Sequence, residues 1–198
     1  MDNYEIARDR AQEYFLNFDQ AQILRRWQLT FDAHAIYVTF LGKEYAVCRE
    51  NGRIIRCADG TNAGFSEVLS ILDLLCHKAA DQYLTGRYAP VNSLKNAPKA
   101  GGVATDFHPR IARCFDDAPE KLHRACLALG GKPVPMGDIG YRLPVFGGMD
   151  VILKFYHSDE DFPASITLLW DENTLNFIYY ETVFYICGYL LQTLADWK

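Results

Sequence analysis

The sequence lacks several features that would place the protein directly in a functional class. It has no uncharged apolar run near the roughly 20 residues that a membrane-spanning helix needs. Its first residues, MDNYEIARDR, have neither the basic start nor the apolar segment of a signal peptide. A net charge of −5 is spread along the chain, whereas nucleic-acid-binding proteins usually carry a basic patch. We therefore expect a cytoplasmic protein that binds neither membranes nor nucleic acid.

The signature motifs of common enzyme classes are also missing. The sequence contains no GxGxxG, GKS or GKT, HExxH or GxSxG pattern, so nucleotide-binding, zinc-protease and serine-hydrolase functions have no local signature. It contains six cysteines but no CxxC pair. In a chain of this length without an export signal, isolated cysteines indicate reduced thiols, most of them buried, rather than a disulfide framework.

The composition present is that of a globular protein. The chain has 198 residues, of which 49% are hydrophobic and 23% charged, and this favours a single domain over residues 1–198. Two groups of alternating strand patterns are separated by helical patterns. We expect an α+β fold in which helices pack against antiparallel strands from both halves of the chain. The pattern does not decide between one sheet and two.

Periodicity and turn residues predict the individual elements. In the first half they predict an amphipathic helix over residues 3–18, a short helix from its cap Asp19 to Trp27, a three-stranded meander over 35–57, and a long helix from its cap Ser66 to Gly86. In the second half they predict a long loop over 87–108, short helices over 109–115 and 119–129, a short or edge strand over 139–143, a hairpin of 151–156 with 164–170, and a final helix over 181–195.

Two acidic clusters flank the predicted hairpin. Six strand residues span roughly 20 Å, so the turn acids Asp159, Glu160 and Asp161 should lie at the opposite end from Asp150, Asp171 and Glu172. The turn acids, with His157 beside them, are candidates for a metal site or an acid–base pair, because crowded carboxylates raise one pKa. His108 in the long loop is a candidate to close over them. The competing interpretation is that these acids are solvated turn residues.

The final helix carries apolar side chains on nearly all its sides. Such a helix is normally buried between other elements. Alternatively Tyr185 and Tyr189, one turn apart, bind a partner subunit or a flat ligand, because tyrosine combines a large apolar face with a polar tip.

Two stretches resemble a known family. The segments DEDFPASITLLWDENTLNF and IYVTFLGKEYAVCRENGRI are similar to the C-terminal signature and the N-terminal half of the domain of unknown function DUF3786. The resemblance implies relatives that are small proteins of anaerobic microbes, some joined to an iron–sulfur-binding segment, and an association with redox or tetrapyrrole-type cofactor metabolism. This chain has no such cysteine-rich segment.

Two functional hypotheses follow. The preferred one is a noncatalytic accessory module that binds a small-molecule ligand, a cofactor or a protein partner, a second copy of the chain included. The alternative is a metal-assisted enzyme that uses the acidic turn at 157–161.

Overall fold

The computed structural model describes residues 3–78, 82–98 and 109–197. This part of the chain contains six α-helices and two antiparallel sheets, which confirms the predicted α+β class. The helices are α1 (Asn3–Leu16), α2 (Gln20–Trp27), α3 (Phe65–Cys76), α4 (Pro109–Asp116), α5 (Pro119–Ala128) and α6 (Tyr180–Ala195). The strands are β1 (Ala35–Phe40), β2 (Lys43–Cys48), β3 (Ile54–Arg56), β4 (Tyr88–Pro90), β5 (Lys132–Pro133), β6 (Ile139–Phe146), β7 (Met149–Tyr156) and β8 (Ser165–Asp171).

The smaller sheet is the predicted meander, with strand order β1-β2-β3. Its first hairpin closes through Leu41 and Gly42, both with positive φ (47° and 73°), as a two-residue turn between right-twisted strands requires. Alternate residues of β1, among them Ile36 and Val38, point into the core. The period-two pattern therefore predicted this sheet.

The larger sheet has the order β4-β8-β7-β6-β5, and its β7–β8 hairpin is as predicted, with Val151 opposite Trp170 and Tyr156 opposite Ser165. The prediction of a short or edge strand over 139–143 was wrong. β6 is an eight-residue strand paired on both sides, because the register irregularity beside Pro144 lets the strand continue past the proline.

The segment predicted as a loop over 87–108 is partly ordered into the sheet. β4 pairs with β8 as an edge strand, and a 3-10 turn follows over Val91–Ser93. An edge position accepts Pro90, which has no N–H to donate. Residues 99–108 of the predicted loop lie outside the described residues.

Helix α3 differs from its prediction at both ends. It begins after Gly64, not at a Ser66 cap, and the Glu67 side chain accepts a hydrogen bond from the Gly64 N–H (2.6 Å). It ends at Cys76, because His77 takes an extended conformation in which its carbonyl accepts a hydrogen bond from Arg26 Nη1 (2.5 Å). The predicted continuation to Gly86 is absent over 82–86, and residues 79–81 are not described.

The two N-terminal helices match their predictions to different extents. Asp19 caps α2 as predicted, by accepting from the backbone N–H groups of Ala21 and Gln22. Helix α1 ends at Leu16 and not at the predicted residue 18. Of the predicted apolar stripe, Phe15 in the helix and Phe18 after it are buried, while Tyr4 and Tyr14 are exposed.

The buried side chains of both sheets and all six helices form one continuous cluster. Leu41 N–H donates to the Val145 carbonyl (2.9 Å) and so joins the two sheets directly. Helix α6 packs against α3, α4 and α5, with Val183, Ile186 and Leu190 fully buried, which confirms the interpretation of a buried final helix. Within the described ranges, no helix is both long and apolar enough to cross a membrane.

Candidate functional site

A buried carboxylate organises the polar interior of the molecule. Glu67 in the first turn of α3 is only 1% exposed. Arg56 of β3 donates to it through Nε (2.9 Å, to Oε1) and through Nη2, to Oε2. Arg56 Nη1 donates to the Asn62 carbonyl (2.9 Å) and to Thr61 Oγ1 (3.0 Å), so the guanidinium is held from several sides. A buried charge needs such pairing to be tolerated.

Two tyrosines that lie far apart in the sequence extend this network. The hydroxyl groups of Tyr45 in β2 and Tyr189 in α6 both donate to Glu67 Oε1, at 2.7 and 2.8 Å, and lie 3.2 Å from each other. Lys43 Nζ donates to the Tyr189 hydroxyl (3.1 Å) and lies 5.1 Å from the ring centroid. The chain of contacts thus runs from the buried Glu67 to the half-buried Lys43.

The surroundings fix the protonation states of this network. Burial alone would raise the pKa of the Glu67 carboxyl, but its hydrogen bonds, above all those from Arg56, hold the pKa below the ordinary value. Burial and the hydrogen bonds to Tyr189 and Glu67 raise the pKa of Tyr45. Glu67 is therefore ionised and Tyr45 neutral at physiological pH.

An open groove of about 620 Å³ lies above the network. Its lining residues include Lys43, Arg56, Asp59, Tyr189, Gln192 and Trp197. Both acids at the groove already have partners, since Asp59 accepts from Thr61 and Asp196 accepts from Gln192 (2.8 Å). The groove therefore combines a cation, an exposed indole and hydrogen-bonding groups, and its volume falls in the range of small-molecule sites.

The two tyrosines singled out in α6 have different environments. Tyr189 reaches the groove, and its ring stacks on Phe40 with centroids 6.1 Å apart. Tyr185 instead packs edge-on against Phe65, with centroids 5.5 Å apart, and is half-buried. The structure therefore brings only Tyr189 into this groove.

The acidic turn after β7 is exposed throughout residues 157–163. His157 Nδ1 lies 2.9 Å from Asp116 Oδ1, and Ser158 Oγ donates to Asp116 Oδ2 (2.5 Å). These hydrogen bonds, with that from Ser158 first, lower the pKa of Asp116. Ser158 thus donates to the aspartate and not to His157, and the three residues attach the turn to α4.

Within the turn, Asp159 stabilises its own backbone. Its Oδ1 accepts hydrogen bonds from the N–H groups of Asp161 (2.9 Å) and Phe162 (2.8 Å), a local arrangement common in turns. Glu160 and Asp161 are exposed. Among the described residues, no three His, Cys, Asp or Glu side chains are grouped so that they could hold a metal ion. His108 lies outside the described residues.

The second acidic group lies at the other tip of the hairpin, as the register predicted. Asp171 is buried and accepts from the N–H groups of Gly86 (2.7 Å) and Asn173 (2.9 Å). Asp150 accepts from the Tyr88 hydroxyl and lies 3.7 Å from Arg142 Nε. These carboxylates organise loops and the β4 edge, and the two clusters do not share a site.

Sequence reasoning missed four residues of the network: Lys43, Tyr45, Arg56 and Glu67. Three of them lie in the predicted meander, where they look like ordinary strand residues. Glu67 carried one usable signal: an acid in the first turn of an otherwise apolar helix, three positions after a glycine.

The fold and the groove together define an α+β protein with a ligand-sized cleft built over a buried ion pair. The chain belongs to the family described as Domain of unknown function (DUF3786), whose model matches residues 19–193. That match confirms the resemblance seen in the two sequence segments. No match to the chain was found among curated proteins or among solved structures.

Proposed function

We propose that the protein is a noncatalytic binding module whose groove holds a small planar molecule bearing an acidic group. The observation that carries this proposal is Lys43, a half-buried ammonium group at the groove with no carboxylate oxygen within 4 Å in the described part of the chain. A lysine has three N–H donors, and the hydrogen bond to Tyr189 uses one of them.

The chemistry of the groove supports this ligand class. The Glu67 carboxylate already neutralises Arg56, and Asp59 and Asp196 accept from their own neighbours. Lys43 is therefore the charged group best able to pair with an incoming carboxylate, phosphate or sulfonate. Trp197, 37% exposed, offers an apolar face to a planar ring.

The hydrogen bonds that Glu67 accepts favour binding over catalysis. Glu67 already accepts hydrogen bonds from two tyrosines, an arginine and a backbone N–H. A general base needs a free lone pair within reach of the substrate proton. A carboxylate saturated in this way is suited to holding Tyr189 and the floor of the groove in place.

The proposal includes a cytoplasmic location, supported by six free cysteines in the fold. It also includes a protein partner or second copy of the chain as an alternative occupant of the groove, in which case the acidic group is a side chain. Light scattering on the purified protein tests for the second copy, because a second copy in the groove gives a dimer mass and a small molecule does not.

The first experiment uses two fluorescent probes that share one skeleton. Anilinonaphthalene sulfonate combines a planar naphthalene ring with an anionic sulfonate, and N-phenyl-1-naphthylamine is its neutral counterpart. We expect the sulfonate to bind in the groove and quench Trp197, and Lys43→Met to weaken its binding about tenfold or more, since a hydrogen bond to a charged group contributes roughly 1.5–3 kcal/mol.

Matched variants locate the signal. Lys95→Met removes an exposed lysine elsewhere and should leave sulfonate binding unchanged, while Trp197→Phe should abolish the quenching without abolishing binding. Equal affinity of Lys43→Met and the unchanged protein for the sulfonate, or equal quenching of Trp197 by the neutral probe, contradicts the proposal.

A further inference from the structure

A second, separate cleft of about 340 Å³ lies between α1, α3 and the start of α6. Its apolar lining comes from the small side chains of Ala7 and Ala11 in α1 and from Leu69 and Leu72 in α3, while Arg10 and Tyr14 of α1 also line it. The small residues of α1 leave space against α3 that a larger side chain would fill. This cleft shares no lining residue with the groove that contains Lys43.

The cleft contains a buried carboxylate with an unusual environment. The Asp73 side chain is 9% exposed and lines the cleft. It accepts a hydrogen bond from Tyr179 N–H (2.8 Å) and lies 3.3 Å from His77 Nδ1. Within the described ranges, no lysine or arginine nitrogen lies within 4 Å of it. A buried carboxylate is costly without a cationic partner. The basic group beside Asp73 is the His77 imidazole, which forms an ion pair only when it is protonated, whereas Glu67 has the permanently charged guanidinium of Arg56.

Aromatic side chains surround the open end of the cleft. Tyr14 and Tyr179 line it and are exposed by 48% and 58%. Burial, and after it the charge of Asp73, raise the pKa of Tyr179, which places that hydroxyl in the field of the carboxylate. Aromatic faces beside a carboxylate favour a cation, through both charge and cation–π attraction.

We infer that this cleft binds a small apolar amine, whose ammonium group pairs with Asp73 while its hydrocarbon part lies on Ala7, Ala11, Leu69 and Leu72. The inference stands independently of the groove at Lys43, because it rests on different residues. Arg10 is the competing cation, since its exposed side chain also lines the cleft. The experiment must therefore separate an external amine from Arg10.

Calorimetric titration with 2-phenylethylamine tests the inference, with 2-phenylethanol as the uncharged molecule of nearly equal shape. The amine should bind at least about tenfold more tightly than the alcohol, as expected for a charge-assisted hydrogen bond in a buried site. Asp73→Asn, which keeps an acceptor for Tyr179 N–H, should remove this preference. Equal affinity for the two molecules overturns the inference.

Two further variants cover the possibility that Asp73→Asn does not fold. Ala7→Leu fills the cleft without touching Asp73 and should abolish amine binding, whereas Ala128→Leu, at an exposed position of α5, should not. Arg10→Gln should leave amine affinity unchanged or raise it slightly. If the amine binds only to the Arg10→Gln variant, Arg10 is the natural partner of Asp73 and the inference is wrong.

Discussion

Glu67 shows at the scale of one residue how a buried charge becomes part of a fold. Its two carboxylate oxygens receive hydrogen bonds from β2, β3, α6 and the loop before α3. Each of these hydrogen bonds would lose its ionised acceptor if the charge were removed. The residue therefore joins elements that lie far apart in the chain.

Replacing Glu67 by Gln should lower the free energy of unfolding by about 2–4 kcal/mol at neutral pH. Breaking a fully buried pair costs roughly 3–5 kcal/mol, and the value here is reduced because the Arg56 side chain is 31% exposed. Urea unfolding measures the change. Glu50→Gln, in the exposed turn between β2 and β3 of the small sheet, is the control. A loss no larger than that of the control would contradict the role given to Glu67.

The stability difference between the unchanged protein and Glu67→Gln should depend on pH. The pKa of Glu67 is lower in the folded chain than its ordinary value, so its contribution is complete above the unfolded pKa, about 4.3 for glutamate. It is lost as the pH falls from there through the lower folded pKa. The stability difference between the unchanged protein and Glu67→Gln should therefore shrink below about pH 4. Thermal melts at pH 7 and at acidic pH check this, and a difference that grows on acidification would refute it.

At the scale of elements, the β6–β7 hairpin holds helix α2 in place. Its turn residues Gly147 and Gly148 both have positive φ (52° and 87°). A Cβ on Gly147 would overlap the Trp27 ring at the end of α2, whereas a Cβ on Gly148 would meet no atom within 4 Å. Glycine is thus required at position 147 by both the positive φ and the contact with Trp27, and at position 148 by the positive φ alone.

Gly147→Ala should consequently be more destabilising than Gly148→Ala. The positive φ costs each alanine about 1–2 kcal/mol, and overpacking against Trp27 adds about 1–3 kcal/mol at position 147 alone. Chemical unfolding of the two variants, followed by circular dichroism, gives the comparison. Equal losses would mean that α2 moves away from the turn without penalty.

The elements that the sequence predicted well are those with uninterrupted periodicity: the meander, the β7–β8 hairpin and α6. The errors lie where local composition and tertiary contacts disagree. Pro144 and the glycines around β6 suggested an edge, yet the partners on both sides hold it as an inner strand. Helix α3 stops early at the extended His77, whose carbonyl accepts a hydrogen bond from Arg26, a residue that periodicity treats as unrelated.

The candidate site was harder to predict than the fold. Tyr189 was identified because it stands in an apolar helix, but Lys43 lies 146 residues away and Glu67 122 residues away in sequence. Only the packing of α6 across α3 and the small sheet brings them together. The hairpin geometry did predict that the two acidic clusters stay apart.

At the scale of the whole molecule, one buried cluster includes residues from both sheets and all helices. Trp170, Leu190 and Tyr45 belong to it, although they come from the large sheet, the last helix and the small sheet. Such continuity supports the prediction of a single domain, in which neither sheet retains its structure after the other unfolds.

Unfolding should therefore appear as one transition. Far-ultraviolet circular dichroism and tryptophan fluorescence should give the same urea midpoint, and Leu190→Ala should shift both equally, by a loss of about 2–5 kcal/mol. Leu127→Ala, at a position 55% exposed on α5, should shift neither appreciably. Two separate midpoints would divide the chain into independent units.

The position of α6 at the end of this network affects how the chain folds during synthesis. A ribosome produces Lys43, Tyr45, Arg56 and Glu67 well before Tyr189, and synthesis proceeds at about 5–20 residues per second. For those seconds the nascent chain lacks the Tyr189 hydroxyl and the α6 side chains that complete the core, so Glu67 and Arg56 stay hydrated. Native assembly is thus deferred until the last helix has left the ribosome, and this interval is when the growing polypeptide is most exposed to aggregation and proteolysis.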